Sequence, residues 1–158
     1  MRRTPRSKTL EIQASIPSAA SPEVVMARIA SPSTWPEWQS EILTTQGPKL
    51  AAPGDVVQGR ARLLGFEVNG RSDIEEADDE DFFEDVIVGV RMRIRYTVAP
   101  NGTGTVIGHQ LQADLPAGPA GKVLSLFLAR RLRRMQRELL ERLRDQTQRD
   151  QAGELDPS

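Results

Sequence analysis

The sequence contains no cysteine and only one histidine, His109, among its 158 residues. Without cysteine it cannot form a disulfide framework, a thiolate metal site or a cysteine nucleophile, and one histidine supplies too few ligands for a typical zinc site. Phosphate-binding loops, dinucleotide-binding glycine patterns and nucleophile elbows are also missing. We therefore expect no metal and no cofactor. The motifs alone do not decide whether the protein is an enzyme.

Long apolar runs and an excess of one charge sign are also missing. No stretch approaches the ~20 apolar residues of a membrane span, so we expect no stable membrane insertion. The 21 basic and 22 acidic residues leave a net charge of -1, which gives no overall electrostatic reason to expect a nucleic-acid partner. The basic N-terminus is not followed by the apolar core of a signal peptide, which favours a cytoplasmic location.

The residues that are present predict seven strands and three helices. Apolar and polar residues alternate, between turn residues, over 8–16, 42–50, 55–65, 66–76, 82–88, 90–98 and 104–114. Ser21-Pro22-Glu23 is typical of a helix start, which predicts one short helix over 22–30 and a second within 32–42. Asn101-Gly102 predicts a tight hairpin between the last two strands.

A long amphipathic helix is predicted over 122–146. Its apolar residues recur every three or four positions, at Leu124, Leu128, Leu132, Met135, Leu139 and Leu143. Residues 1–7 and 147–158 lack such periodicity, so we expect two disordered tails around one domain spanning 8–146. This order of elements predicts an α+β fold in which the helix packs on a curved antiparallel sheet and leaves a cavity between them.

Several short motifs occur in an order that resembles a known family. They are Ser21-Pro22-Glu23, Trp35-Pro36-Glu37-Trp38, Gly54-Asp55, Gly104-Thr105 after the Pro-Asn-Gly turn, and the Leu/Arg-rich last helix. Over residues 8–145 the chain resembles the polyketide cyclase/dehydrase and lipid-transport group of the START-like (SRPBCC, Bet v 1-like) superfamily. The resemblance implies a helix-grip fold with a cavity for a small hydrophobic, lipid-like or polyketide-like ligand.

Strand periodicity identifies the side chains that face this cavity. Small residues at Gly59 and Ala61 would leave volume on the inner face, and Phe66 and Val68 would begin the next inner wall. The predicted ligand-binding residues are Trp38, Gly59, Ala61, Leu63, Val68, Ile94, Tyr96, His109, Leu111, Leu128, Leu132 and Met135. We expect Leu132 and Met135 to form the part of the last helix that lines the cavity.

Two inner-face residues are candidates for catalysis. His109 could act as an acid or base near neutral pH, and Tyr96 could orient a ligand with its hydroxyl. For His109 we favour a core position with one satisfied hydrogen bond, whereas Tyr96 could equally be a core tyrosine bonded to the backbone. Strand 82–88 is ambiguous, because one register buries Phe83, Asp85 and Ile87 and the other buries Phe82, Glu84, Val86 and Val88. We favour the second register because it places its carboxylate nearer the strand end.

Three functions stay open at this stage. The first is binding or transport of a small hydrophobic ligand, and the second is a cyclase/dehydratase-type enzyme acting on such a ligand. The third is a partner-binding module that uses the arginines of the last helix on RNA, membrane or protein. The acid-rich segment 75–85 supplies intramolecular or oligomeric counter-charges, so we expect a solvated basic face and no nucleic-acid partner. We also expect a monomer or weak homodimer.

Overall fold

The computed structural model describes residues 8–63, 65–115 and 118–155. The predicted N-terminal tail, 1–7, and the last three residues of the predicted C-terminal tail lie outside the described residues.

One seven-stranded antiparallel sheet carries the fold. Its strands are β1 (Lys8–Ser18), β2 (Ile42–Gln46), β3 (Val56–Leu63), β4 (Phe66–Ala77), β5 (Asp81–Val88), β6 (Val90–Asn101) and β7 (Gly104–Leu115). The strands lie in the order β1-β7-β6-β5-β4-β3-β2, so β1 returns to pair with β7. The predicted α+β class, the seven strands and the hairpin at Asn101, where Gly102 has a φ of 63°, are confirmed.

Two short helical segments connect β1 to β2. Helix α1 (Pro22–Ile29) begins where the Ser21 side chain accepts a hydrogen bond from the Val24 amide at 3.4 Å, with a proline in its first turn. A 3₁₀ turn over Pro32–Thr34 leads into α2 (Trp35–Trp38). The second helix is therefore shorter than the predicted 32–42. Strand β2 also ends early, at Gln46, just before Gly47-Pro48, because proline has no amide hydrogen for the ladder.

Helix α3 (Pro119–Leu155) is longer than the sequence indicates. The predicted end near 146, with a disordered segment from 147, is wrong for residues 147–155. Thr147 is fully buried and shares a hydrogen bond of 3.1 Å with Ser18, and Gln148 and Gln151 accept the backbone amides of Ala19 and Ser21. These last turns are polar because they bond to the chain between β1 and α1, so they show no apolar periodicity.

The buried side of α3 covers only part of the sheet. It packs mainly on β1, β7, α1 and α2. The apolar stripe of α3 is buried from Leu128 onward. Leu124, which was predicted to belong to the stripe, is 38% exposed, and Leu140 is buried next to Leu139. A helix is about 10 Å wide and strands are about 4.8 Å apart, so one helix spans about two strands of seven. The inner face of the β3–β6 half must be covered by something else.

We expect the last turns of α3 to contribute measurably to stability. Ending the chain after Gln146 removes the partners of Ser18, Ala19, Ser21 and Arg28. At roughly 1 kcal/mol for each net hydrogen bond, the free energy of unfolding should fall by roughly 2 to 4 kcal/mol in urea denaturation. Ending the chain after Gly153 is the matched control and should change it by less than about 0.5 kcal/mol. Equal stability of the two truncated chains would contradict this role.

Candidate functional site

A mostly apolar cavity of about 100 Å³ lies against the inner face of the sheet, away from the strands that α3 covers. Its walls come from β2 to β6, from Trp35 of α2 and from Met135 of α3. Val57, Ala61, Leu63, Val86, Val88, Met92 and Ile94 supply most of the apolar surface. The cavity is partly open to solvent, and the polar residues at its margin include Gln39, Glu41, Thr44 and Gln58.

Five of the predicted ligand-binding residues line this cavity: Gly59, Ala61, Leu63, Ile94 and Met135. Gly59 has a second reason to lack a side chain. A Cβ atom there would overlap the backbone oxygen of Thr44 in the neighbouring strand β2. The glycine is therefore required by the close approach of β2 and β3, and Ala61 is the small residue that leaves space on the inner face.

The other predicted ligand-binding residues lie outside the cavity lining. Val68 is half-buried and pairs with Ala61 across β3 and β4, while the remaining six are buried in the packed interior. Those six are Trp38, Tyr96, His109, Leu111, Leu128 and Leu132. Phe66, predicted to begin an inner wall, is 74% exposed, because it is the first residue of β4 and follows the turn from β3.

An aromatic cluster holds α2 on the sheet beside the cavity. Trp35 meets Phe82 edge to face with ring centroids 6.3 Å apart, and Trp38 meets Tyr96 at 5.9 Å. The indole nitrogen of Trp35 donates to the Ile29 carbonyl at 2.8 Å. Trp38 thus anchors α2, while Trp35 both anchors it and lines the cavity.

His109 lies in the packed interior and is 1% exposed. Its Nδ1 is 2.8 Å from Nε2 of Gln136, which also donates to the His109 carbonyl at 3.1 Å. Burial lowers the pKa of His109 to about 3, so the ring is neutral at physiological pH. Neither His109 Nε2 nor the hydroxyl of Tyr96 has a hydrogen-bond partner among the described residues. The contact between His109 and Gln136 joins β7 to α3.

Glu84 is the buried ionisable residue among those that line the cavity. From the sequence, Glu84 is expected to be buried but is not a candidate site residue. It is 5% exposed, and burial raises the pKa of its carboxyl to about 7, although a hydrogen bond from Ser72 at 3.3 Å opposes that shift. The favoured register of strand 82–88 is confirmed, since Phe82, Glu84 and Val88 are buried. However, β5 begins at Asp81, so Glu84 lies within the strand and not near its end.

The buried polar groups form a line across the inner face of the sheet. Glu84 is directly opposite Ile94, so Tyr96, two residues further on, is its diagonal neighbour, and Tyr96 is directly opposite His109. Burial raises the pKa of Tyr96 well above its ordinary value, and the nearby Glu84 charge raises it further. The line begins with Ser72 and Glu84 at the cavity and ends with His109 beneath α3.

The sequence profile of the polyketide cyclase/dehydrase and lipid transport family matches residues 9–148, which is most of the chain. The chain belongs to this family. No curated protein sequence matches it significantly. The family assignment confirms the resemblance drawn from the short motifs.

Solved structures with the same fold have low sequence identity to this family member. TTHA0849 from Thermus thermophilus superimposes with a TM-score of 0.75 at 18% identity, over 87% of this chain and 97% of the other. A START superfamily protein from Mycobacterium smegmatis superimposes with a TM-score of 0.67 at 15% identity, over 84% of this chain and 96% of the other. The ZhuI aromatase/cyclase from Streptomyces sp. R1128 superimposes with a TM-score of 0.70 at 12% identity, over 90% of this chain and 95% of the other. The fold is therefore the START-like helix-grip fold.

The outer face of this family member carries the charged residues. Arg91 pairs with Asp85 at 2.7 Å, and Arg95 pairs with Glu76 at 2.9 Å and lies over the ring of Phe83. A second hollow, of about 380 Å³, lies on this face. It is larger than the inner cavity, but its walls are mainly polar and include Glu11, Gln13, Arg93, Gln110 and Gln112. Such a hollow is a solvated surface groove, whereas the walls of the inner cavity are mainly apolar.

Among the described residues, no helix is both long and apolar enough to cross a membrane. The arginines of α3 are partly engaged within the domain, since Arg131 pairs with Glu41 at 2.6 Å and Arg134 with Glu138 at 3.1 Å.

We expect Glu84→Gln to become more stabilising as the pH rises. In the folded protein Glu84 stays protonated up to about pH 7. In the unfolded chain its carboxyl loses the proton near its ordinary pKa of 4.5. The contribution of protonated Glu84 to the free energy of unfolding of wild type is therefore complete below pH 4.5. It is lost between pH 4.5 and 7. From pH 4 to pH 8 the stability of the variant relative to wild type should increase by on the order of 3 kcal/mol in urea denaturation. The exposed Glu75→Gln is the control, and a pH-independent difference for Glu84→Gln would contradict the burial of an ionisable Glu84.

Alanine substitutions in α3 should distinguish packed from cavity-lining positions. Leu132 is fully buried away from the cavity, whereas Met135 is half-buried and lines it. Leu132→Ala creates a new void and should cost roughly 2 to 5 kcal/mol, while Met135→Ala enlarges an existing cavity and should cost about 1 kcal/mol. Equal losses in chemical denaturation would mean that Met135 packs against a solid core.

Proposed function

We propose that this protein binds a small apolar molecule in the cavity between the sheet and helices α2 and α3. The observation that carries the proposal is the apolar cavity itself, with walls such as Val57, Val86 and Ile94. Protein interiors are close-packed, and apolar cavities with a few polar groups are typical of ligand sites. Membership of a family described by polyketide cyclase/dehydrase activity and lipid transport agrees with such a ligand.

The size of the cavity limits what it can enclose. A cavity of about 100 Å³ is of the order that holds one aromatic ring, since an engineered apolar cavity of about 150 Å³ binds benzene. We infer a ligand with one ring, or a similar apolar end, inside the cavity. A larger ligand would extend past Gln39 and Thr44 at its partly open margin.

Binding is favoured over acid or base catalysis at His109. The histidine is 1% exposed, is neutral because burial lowers its pKa to about 3, and does not line the cavity. A cyclase/dehydratase reaction that uses His109 and Tyr96 would require a rearrangement that opens the interior beneath α3. A partner-binding role for the basic helix has weaker support, because Arg131 and Arg134 already pair with acids of the same chain.

Native mass spectrometry after gentle purification, combined with a variant that fills the cavity, tests the proposal. Ala61→Phe places a ring in the cavity, whereas Ala99→Phe makes the same change at an exposed position of β6. We expect a co-purifying apolar molecule with wild type and Ala99→Phe, and none with Ala61→Phe. Melting curves of both variants verify that they are folded.

The proposal would fail if folded Ala61→Phe bound the same molecule as wild type, or if wild type bound no member of a broad panel of lipids and aromatic compounds. The same spectra report the oligomeric state, for which a monomer or weak homodimer stays a prediction. A cytoplasmic location also stays a prediction.

A further inference from the structure

We propose that Glu84 is the residue that recognises the polar end of the ligand, donating a hydrogen bond as a neutral carboxylic acid to an acceptor oxygen of an otherwise apolar molecule. The inference rests on the proposed function, because it requires a ligand in the cavity. It adds the chemical class of that ligand, a compound such as a ketone in which one oxygen lies at the inner end of an apolar body.

The geometry leaves one side of the carboxyl available. Glu84 lines the cavity and is 5% exposed, and Ser72 Oγ donates to its Oε2 at 3.3 Å. This is the one side-chain hydrogen bond of the Glu84 carboxyl within the described part of the chain. With Oε2 occupied as an acceptor, a proton on Oε1 has no hydrogen-bond partner among the residues that the structure describes. Oε1 therefore suits an acceptor atom of a ligand.

No cation of the described residues neutralises Glu84. The other charged residues that line the cavity each pair with an oppositely charged residue: Glu41 with Arg131, Arg60 and Arg62 with Glu67, and Arg71 with Asp73. The packed elements contribute uncharged groups: Ser72 from β4, Tyr96 from β6, Trp35 from α2 and Met135 from α3. A carboxyl in such surroundings takes up a proton most readily, which agrees with a pKa raised by burial to about 7.

The same surroundings favour an acceptor oxygen over a cationic ligand. An ammonium group would lose its hydration on entering the mostly apolar cavity. Burying a carbonyl oxygen costs less free energy than burying an ammonium group, and a hydrogen bond from Glu84 offsets the desolvation of that oxygen.

Three ligands with the same skeleton separate these possibilities: ethylbenzene, acetophenone and 1-phenylethylammonium. They differ in having no polar group, a carbonyl oxygen and a positive charge. At pH 6 we expect acetophenone to bind wild type about tenfold more tightly than ethylbenzene, which corresponds to one net hydrogen bond of roughly 1.4 kcal/mol. The ammonium compound should bind most weakly. Isothermal titration calorimetry or ligand-observed NMR measures all three affinities.

Two variants and a pH series assign the effect to Glu84. In Glu84→Leu the affinities for acetophenone and ethylbenzene should differ by no more than about twofold. Glu84→Gln keeps a hydrogen-bond donor and should retain the preference for acetophenone. With a Glu84 pKa of about 7, acetophenone affinity for wild type should fall about fivefold from pH 6 to pH 8, because the ionised form still binds acetophenone about as weakly as ethylbenzene. Ethylbenzene affinity, and both affinities of Glu84→Gln, should stay constant over that range.

The outcomes distinguish this inference from the proposed function. Equal binding of ethylbenzene and acetophenone to wild type would overturn the role of Glu84 and leave the cavity as an apolar site. Tightest binding of the ammonium compound would show Glu84 acting as a carboxylate, which also overturns it. Binding of none of the three would count against the cavity as a ligand site, and the inference would fail with it.

Discussion

A single helix cannot cover a seven-stranded sheet, and the arrangement of this protein depends on that mismatch. Strands about 4.8 Å apart give a sheet roughly 29 Å wide, whereas a helix is about 10 Å across. Helix α3 packs mainly on β1 and β7, so its apolar stripe forms a solid core there. Helix α1 also contacts β6, and above β3 to β6 a cavity remains whose wall includes Trp35 of α2 and Met135 of α3.

The line of polar groups on the inner face crosses both regions, and each end behaves according to its surroundings. His109 lies in the solid core, where Gln136 fixes its ring and burial keeps it neutral. Glu84 lies on the cavity wall, where burial instead favours its proton. Their effects on stability oppose each other: His109 destabilises the folded protein as the pH falls below about 6.5, and Glu84 as it rises from 4.5 to 7.

Much of the fold could be predicted because alternation along a strand reveals which side chains face inward. The inward faces of β6 and β7 and the register of β5 follow from that period. Alternation does not reveal which inward residues a helix will cover, so His109 was favoured over Glu84 for the site. The end of α3 was missed for a related reason. Thr147 and Gln151 are polar, and only the tertiary structure shows that they bond to Ser18 and Ser21.

Methyl-resolved NMR during titration with an apolar ligand such as acetophenone tests the central claim most directly. Isoleucine and methionine methyl groups lie in both regions of the inner face, so one labelling scheme reports on each. Those that line the cavity belong to Ile42, Met92, Ile94 and Met135, and those in the packed core to Ile12, Ile29 and Ile107. A ligand cavity above β3 to β6 predicts saturable shifts confined to the first group. Shifts confined to the second group, or none in either, would contradict it.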